Sequence, residues 1–352
     1  MAKKVYVGMS GGVDSSVTAA LLKEQGYDVT GVYMKNWSQD LPGFVCPWKE
    51  DYQDAKRVAV RLGIPFKMYD FEKEYRHKVV DYMIDGYKAG FTPNPDIMCN
   101  QEVKFKIFLE TALEDGADYI ATGHYARIQH SDDGAQLLTG LDGNKDQSYF
   151  LYRVTEDALR RSLMPIGEYE KPAVRELARK FGLNTAEKKD SQGICFVGKV
   201  GIKEFLQQFV ETEPGMIIDQ SGKEIGEHDG ALFYTIGQRH GLSVGGGLPY
   251  YVVGKDMAKN EVYVTTDLQD DRLWRDSLEL TSPHWINEAP NPQANYKVRT
   301  RYRAELITVT DIKQLANGNW QLDLKDDVRA ITPGQSAVLY EGERVVGGGI
   351  VL

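Results

Sequence analysis

Cysteine is scarce in this chain, which has three among its 352 residues: Cys46, Cys99 and Cys195. Three dispersed cysteines exclude a disulfide framework, and without a CxxC pair they offer no common zinc site. We therefore expect no metal held by these cysteines, and reduced thiols that serve either as buried packing or as chemical groups.

Long apolar runs are also missing. No window approaches the roughly 20 apolar residues of a membrane span, and the opening MAKKVYVG lacks the apolar core of a signal peptide. We expect a cytoplasmic protein with no membrane partner. The net charge of -9 argues against non-specific coating of nucleic acid, but it leaves room for a locally basic groove.

The pattern of predicted strands and helices changes twice along the chain. Strand-like and helix-like segments alternate over residues 1–130, with Gly26 and Gly63 closing two of the helices. Such units predict a parallel sheet covered on both faces, with ligands beyond the carboxyl ends of the strands. Short extended runs follow Glu213, and β-like runs recur from about Asp276. We predict an α/β catalytic domain over 1–209, a small central domain over 210–275 and an antiparallel β-barrel over 276–352.

The segment VYVGMSGGVDSS, Val5 to Ser16, places glycines and hydroxyls between a strand and a helix. Backbone N–H groups and the positive end of a helix converge there, which favours a phosphate ligand, and Asp14 could hold a magnesium-bound phosphate or cap the helix. The segment has neither GxxxxGK[ST] nor GxGxxG, which argues against a Walker-type motor and a dehydrogenase. A glycine turn with no ligand is the alternative.

A second group of polar residues lies in GFTPNPDIMCNQEVKF. Prolines on both sides of Asn94 favour an extended loop, in which Asp96 could act as a general acid or base. Cys99 could ionise near Lys104 or Lys106.

A second thiol occurs in KKDSQGICF, where Cys195 follows two lysines and Asp190. Each thiol alone could be structural, and Cys46 is interpreted as structural. A nucleotide loop with two such thiols suggests sulfur transfer, because an adenylated carbonyl oxygen leaves as AMP and sulfur can replace it. One thiol would carry the sulfur as a persulfide, and the other would release it and leave a disulfide.

The segment YKVRTRYRAEL carries a row of cations. In a strand, alternate residues share a face, which predicts a phosphate track along RNA or, alternatively, a solvated strand face. The four residues on this face are Lys297, Arg299, Arg301 and Arg303.

SGGVDSS resembles the PP-loop of the ATP pyrophosphatases, which cleave ATP to AMP and pyrophosphate. Six motifs in order resemble those of the tRNA-thiolating branch of that family, the bacterial tRNA-specific 2-thiouridylases. They are GMSGGVDSS, TPNPDIMCN, ATGHYARI, KDQSYFL, KKDSQGICF and YTIGQRHGL. The resemblance implies a Rossmann-like fold of the adenine nucleotide alpha hydrolase type, ATP with Mg²⁺, 2-thiolation of the wobble uridine, and a partner that donates persulfide sulfur: a sulfur-relay protein or a cysteine desulfurase.

The resemblance also implies roles for individual residues. ATP contacts are implied for Gly8, Met9, Ser10, Gly11, Gly12, Val13, Asp14, Ser15, Met34 and Gly123. Contact with the target base is implied for Asn94, Pro95 and Asp96, with Asp96 as the acid or base. Cys99 is implied as the nucleophile and Cys195 as the persulfide carrier, with a transient disulfide between them. Contact with tRNA is implied for His124, Lys145, Asp146, Gln147, Arg301, Tyr302 and Gln335.

Two other functions remain open from the sequence. An amide-forming synthetase would share the PP-loop but would not use the paired thiols. A non-catalytic module would bind nucleotide or tRNA without releasing pyrophosphate.

Overall fold

The computed structural model describes residues 2–40, 42, 45–189, 201–242, 244–245, 247 and 249–352. Within these ranges the chain builds three sheets. No helix in the described part is long and apolar enough to cross a membrane.

Seven strands lie in the described part of the first 189 residues. They are β1 (Lys4–Gly8), β2 (Asp28–Lys35), β3 (Phe66–Asp70), β4 (Tyr119–Ala121), β5 (Ala126–Ser131), β6 (Gly134–Thr139) and β7 (Ser162–Leu163). Five of them form a parallel sheet in the order β3-β2-β1-β4-β7. Strand order reverses between β1 and β4, so a ligand site is expected at the carboxyl ends of these two strands.

Eight α-helices accompany these strands. They are α1 (Val13–Glu24), α2 (Trp48–Leu62), α3 (Glu72–Tyr75), α4 (Asp81–Lys88), α5 (Pro95–Met98), α6 (Phe108–Glu114), α7 (Glu156–Arg160) and α8 (Lys171–Lys180). Two π-helical segments, Arg76–Val80 and Cys99–Ile107, join α3 to α4 and α5 to α6. Two 3-10 turns span Ser148–Leu151 and Pro165–Glu168.

Apolar side chains leave the parallel sheet in both directions. Along β1, Val5 and Val7 enter a core shared with α1 and α8, whereas Tyr6 enters a second core with α6 and the Cys99–Ile107 segment. This alternation follows from the two-residue period of a strand. The predicted parallel sheet with both faces covered is confirmed.

The segment ADYIATGHYARI does not form the single strand that its sequence indicates. It divides into β4, which lies in the parallel sheet, and β5, which forms an antiparallel hairpin with β6. The hairpin joins the C-terminal sheet through a pairing of Leu138 with Arg344. Thus residues of the first predicted domain extend the sheet of the third.

Helix α9 (Ile202–Leu206) precedes the central region, which contains a four-stranded sheet. Its strands are β8 (Gly215–Ile218), β9 (Glu224–His228), β10 (Tyr251–Asp256) and β11 (Glu261–Thr265), with a 3-10 turn at Ala231–Phe233. The sheet order is β10-β11-β8-β9, and β11 with β8 is its parallel pair. The β content predicted for this region is therefore present.

The C-terminal region is a closed antiparallel barrel, as predicted. After a 3-10 turn at Asp271–Leu273, its strands are β12 (Trp274–Trp285), β13 (Lys297–Arg299), β14 (Ile307–Gln314), β15 (Trp320–Arg329), β16 (Ser336–Glu341) and β17 (Arg344–Val351). Pairing of β12 with both β15 and β17 closes the ring. The interior is filled by apolar side chains such as Leu278, Val298 and Leu322.

The predicted row of cations is only partly a strand face. Strand β13 ends at Arg299, whose guanidinium forms an ion pair with Asp146, and Arg303 lies in a left-handed turn with φ of 62°. Arg301 is exposed, and its guanidinium bonds to the main-chain carbonyls of Ile236 and Ala330. A continuous phosphate track on one strand face is therefore wrong, because the strand stops after three residues.

Candidate functional site

The glycine-rich loop lies where strand order reverses. Strand β1 ends at Gly8, and α1 begins five residues later at Val13. A side chain at Gly11, where φ is +77°, would overlap the main chain of Asp51 at the start of α2. The loop can pass close to α2 only because this position has no side chain.

The beginning of α1 is open to an anion. Its N-cap is Gly12, and no side chain of the described residues caps it. The hydroxyl of Ser15 accepts the N–H of Ser10 at 3.2 Å, which fixes the loop, while Ser10 itself is exposed. Uncapped N–H groups at the positive end of a 12-residue helix form a phosphate-binding position.

Two distant residues meet this loop, as the sequence indicated. Met34 lies near the end of β2, and a Cβ at Gly8 would come within 2.9 Å of its Cε atom. Gly123 follows β4, and a Cβ there would lie 2.7 Å from the main-chain nitrogen of Ser15. The structure thus brings together the three segments predicted to contact ATP, although the contact with ATP itself stays a prediction.

The side chain of Asp14 has partners that the sequence did not indicate. Its two carboxylate oxygens accept Lys171 Nζ at 2.8 and 2.9 Å, and Oδ1 also accepts the Tyr125 hydroxyl at 2.8 Å. Lys171 is 157 residues away and is the first residue of α8. No signal in KPAVRELARK distinguishes this lysine from its neighbours, so sequence reasoning missed it.

The segment that carries Asp96 is helical and not the extended loop that its prolines favour. The side-chain oxygen of Asn94 accepts the N–H groups of Asp96 at 3.1 Å and Ile97 at 3.3 Å, and Pro95 is the first residue of α5. This is an asparagine N-cap followed by a proline at the first helical position. Asp96 and Cys99 therefore share a continuous helical segment.

Burial sets the protonation of the groups around Asp96. Burial raises the pKa of the Asp96 carboxyl above its ordinary value, and the nearby charge of Lys104 opposes this shift. Burial also holds the pKa of His124 well below its ordinary value, and Lys104 lowers it further. His124 is therefore neutral at pH 7, with Nδ1 2.8 Å from the Thr122 hydroxyl.

Cys99 begins the π-helical segment and is 4% exposed. The next residue, Asn100, donates its side-chain amide to the carbonyl of Phe150 at 3.0 Å. Lys106 forms an ion pair with Glu102, so its positive charge does not act on Cys99 alone. A π-helical turn is uncommon and is often found at functional sites.

The second thiol, Cys195, lies outside the described residues, which resume at residue 201. Its predicted role and its disulfide with Cys99 stay predictions. Just before the described residues stop at residue 189, Lys188 bonds to Asp51 at 2.8 Å and to Asp54 at 2.7 Å. The chain that leads to Cys195 is thus anchored to α2 beside the glycine loop.

Among the residues predicted to contact tRNA, Asp146 and Gln147 form hydrogen bonds with other residues of the protein. Asp146 is buried and accepts the N–H groups of Gly140 and Ser148, the hydroxyl of Ser148, and Arg299. Gln147 accepts the N–H of Tyr125 at 3.0 Å, and Lys145 is half-buried. His124 is buried as well.

The remaining predicted tRNA residues lie where the barrel meets the first domain. Gln335 donates its side-chain amide to the carbonyl of Thr92 at 2.6 Å, two residues before Asn94. The ring of Tyr302 packs against Phe150, with 4.6 Å between centroids. These contacts hold the segment leading to Asp96 against the barrel, and contact of these residues with tRNA stays a prediction.

In the part of the chain that the structure describes, no group of three or more His, Cys, Asp or Glu side chains could hold a metal ion. The free Cys46 thiol is half-buried, lies 3.6 Å from the carbonyl of Trp37 and packs against an apolar core. This placement agrees with its structural interpretation.

A parallel sheet with an uncapped glycine loop at its switch point defines a phosphate-binding α/β protein. Residues 3–199 match a family model described as tRNA methyl transferase HUP domain. Residues 203–266 match the tRNA methyl transferase PRC-barrel domain, and residues 275–351 match the aminomethyltransferase beta-barrel domain.

Relatives are similar over the whole chain. A protein of Bacillus subtilis strain 168 named tRNA-specific 2-thiouridylase MnmA is 48% identical over 99% of this chain and 94% of its own length. A protein of the same name from Listeria monocytogenes EGD-e is 49% identical over the same shares. The chain belongs to the tRNA-specific 2-thiouridylase family. A solved 4-thiouridine synthetase–RNA complex with bound ATP is only 20% identical, with a TM-score of 0.39 over 58% of this chain and 50% of that one.

Proposed function

We propose that this protein replaces the C2 oxygen of the wobble uridine of tRNA with sulfur, in a reaction driven by ATP. The observation that carries the proposal is a contact between the glycine-loop region and the segment that begins at Cys99. Gly123 touches the glycine loop, and the ring of its neighbour His124 packs against Phe105 of the Cys99–Ile107 segment, with 5.8 Å between centroids. This contact supports a reaction that joins the phosphate position to the half-buried Asp96 and to Cys99, in a chain whose full-length relatives are named 2-thiouridylases.

The glycine loop fits the phosphates of ATP. Its uncapped helix start supplies N–H donors, and the absence of side chains at Gly11 and Gly12 leaves the backbone accessible. ATP, with its Mg²⁺, would convert the uracil oxygen into a group that departs as AMP. The chain contributes orientation and charge at the phosphates.

Asp96 is placed to move a proton on the target base. Because burial raises its pKa, the carboxyl holds a proton more readily than an exposed aspartate and is a stronger base when ionised. Asn94 fixes the helical turn that carries it. Asn94, Pro95 and Asp96 would therefore meet the uracil together.

The two thiols would have different roles in the transfer of sulfur. The terminal sulfur of a persulfide on Cys195 forms a bond to C2 as the C2–O bond to AMP breaks. The Cys99 thiolate then attacks the inner sulfur of Cys195, and the sulfur on C2 leaves as the thiocarbonyl of 2-thiouridine. The resulting Cys99–Cys195 disulfide takes two electrons from a thiol reductant before the next turnover, and a sulfur-relay protein or cysteine desulfurase supplies the next persulfide.

The basic Lys145 and Arg301, together with Tyr302 and Gln335, would hold the tRNA. Tyr302 and Gln335 lie at the junction of barrel and first domain. Placement of the reaction in the cytoplasm, and the division into domains after residues 209 and 275, belong to the same proposal.

Cysteine replacement tests this function. We expect Cys99→Ser to abolish 2-thiouridine formation while tRNA affinity stays unchanged, because serine keeps the shape and loses the thiolate. Cys46→Ser is the matched control and should retain activity. Full thiolation by Cys99→Ser would overturn the mechanism. An amide-forming synthetase or a non-catalytic module would tolerate the replacement of both thiols.

A further inference from the structure

Lys171 is an unusually buried lysine beside the glycine loop. It is the first residue of α8, which packs against α1, and its main-chain N–H donates to Asp142 at 2.9 Å. Its side chain is 11% exposed, and that of its partner Asp14 is 31% exposed. Lysine is rarely buried to this extent without a specific reason.

Contacts with Asp14 and Tyr125 fix the ammonium group in place. Lys171 Nζ bonds to both carboxylate oxygens of Asp14, and it lies 5.5 Å from the centre of the Tyr125 ring. The Tyr125 hydroxyl in turn donates to Asp14 Oδ1. Asp14 and Tyr125 therefore hold the ammonium at the first turn of α1.

The same two helices carry a second ion pair that serves for comparison. Lys180 at the end of α8 lies 3.2 Å from Glu24 at the end of α1, with side chains 62% and 52% exposed. An exposed pair of this kind suffices to link helix surfaces at little cost. Burial of a second pair at the glycine loop costs desolvation and calls for a further purpose.

The charges at the glycine loop explain why this ion pair is buried. Asp14 is the second residue of α1, so its negative charge would repel an anion arriving at the helix start. Lys171 neutralises this charge, which restores the attraction of the helix start for an anion, and its ammonium group lies at the same point. The chain lacks the lysine that follows the glycines in the commonest phosphate loop, and Lys171 brings an equivalent charge from a distant helix.

We propose that Lys171 binds the phosphates of ATP that leave as pyrophosphate, with Asp14 and Tyr125 as its positioning residues. This inference rests on the proposed function and adds a phosphate-binding residue to it. Asp14 then acts through Lys171, and the expectation that its carboxylate holds magnesium is replaced.

The test compares two probes by titration calorimetry on the full chain: inorganic pyrophosphate with Mg²⁺, and AMP. We expect Lys171→Met to weaken pyrophosphate binding about tenfold or more, as for loss of one charge-assisted hydrogen bond. AMP binding should be nearly unchanged. Lys171→Arg should recover part of the pyrophosphate affinity. The matched control, Lys180→Met, should bind both probes like the wild type.

A stability measurement separates ligand binding from helix docking. Lys171→Met leaves the Asp14 carboxylate without its partner, so the variant Asp14→Asn with Lys171→Met removes both charges and should recover stability without pyrophosphate affinity. Recovery of that affinity in the double variant, or equal losses for AMP and pyrophosphate, would overturn the inference. If the wild type binds neither probe, the proposed function fails first. If it binds pyrophosphate and Lys171→Met binds it equally well, only the role of Lys171 fails.

Discussion

Replacement of Gly123 by alanine tests the geometry of the phosphate site. The new Cβ would lie 2.7 Å from the nitrogen of Ser15 and 2.9 Å from the carbonyl carbon of Asp14. Both atoms are main chain in the first turn of α1, so no flexible side chain can move aside. The start of α1 must therefore retreat from β4 by several tenths of an ångström.

The expected cost has two parts. Overpacking against a backbone destabilises a protein by about 1–3 kcal/mol, measured as a lower free energy of unfolding in urea. Displacement of the N–H donors should also weaken pyrophosphate binding by roughly tenfold, which corresponds to the loss of one hydrogen bond to a charged group, about 1.5 kcal/mol.

Gly143→Ala is the matched control, because a Cβ at Gly143 would meet nothing within 4 Å. It should change neither quantity. If Gly123→Ala matches Gly143→Ala in both unfolding and pyrophosphate affinity, the close approach of β4 to the loop is not what shapes this site.

Two further predictions concern buried charges. Burial raises the folded-state pKa of the Asp96 carboxyl above its ordinary value of 3.8, which applies in the unfolded chain. As the pH rises from the unfolded-state pKa to the folded-state pKa, the carboxyl ionises more readily in the unfolded chain, so the free energy of unfolding falls. Asp96→Asn should therefore lose thiolation yet exceed the wild type in stability at pH 8, with a smaller difference at pH 3; lower stability at pH 8 would contradict the assignment. Arg299 and Asp146 form an ion pair whose side chains are 15% and 5% exposed. Arg299→Met should cost about 3–5 kcal/mol in urea unfolding, because it removes the only cation among the described residues that the structure pairs with this buried carboxylate and leaves it with neutral donors; a loss below about 1 kcal/mol, typical of an exposed pair, would refute this.

Local patterns allowed much of the fold to be predicted. The parallel sheet follows from alternating strands and helices, the barrel follows from short β-like runs, and the glycine loop follows from its place between β1 and α1. Each of these features is encoded within a few neighbouring residues. The family motifs added the expected order of the site segments.

Features that depend on distant contacts were not predictable in the same way. The hairpin β5–β6 leaves the first domain to pair with β17, and the bond between Lys171 and Asp14 joins residues 157 apart. The helix at Pro95 differs from the sequence-based expectation for another reason: the prolines favour an extended loop, but Asn before Pro is also a helix-start signal.

Exchange of oxygen for sulfur on tRNA can be measured directly. The most direct measurement incubates the wild-type protein with ATP, Mg²⁺, a persulfide donor, a thiol reductant and unmodified tRNA, and examines the digested tRNA by mass spectrometry. We expect 2-thiouridine at the wobble position, formed only with ATP and accompanied by AMP and pyrophosphate. Uridine left unchanged with every component present, or a methyl group gained in place of sulfur, would contradict it.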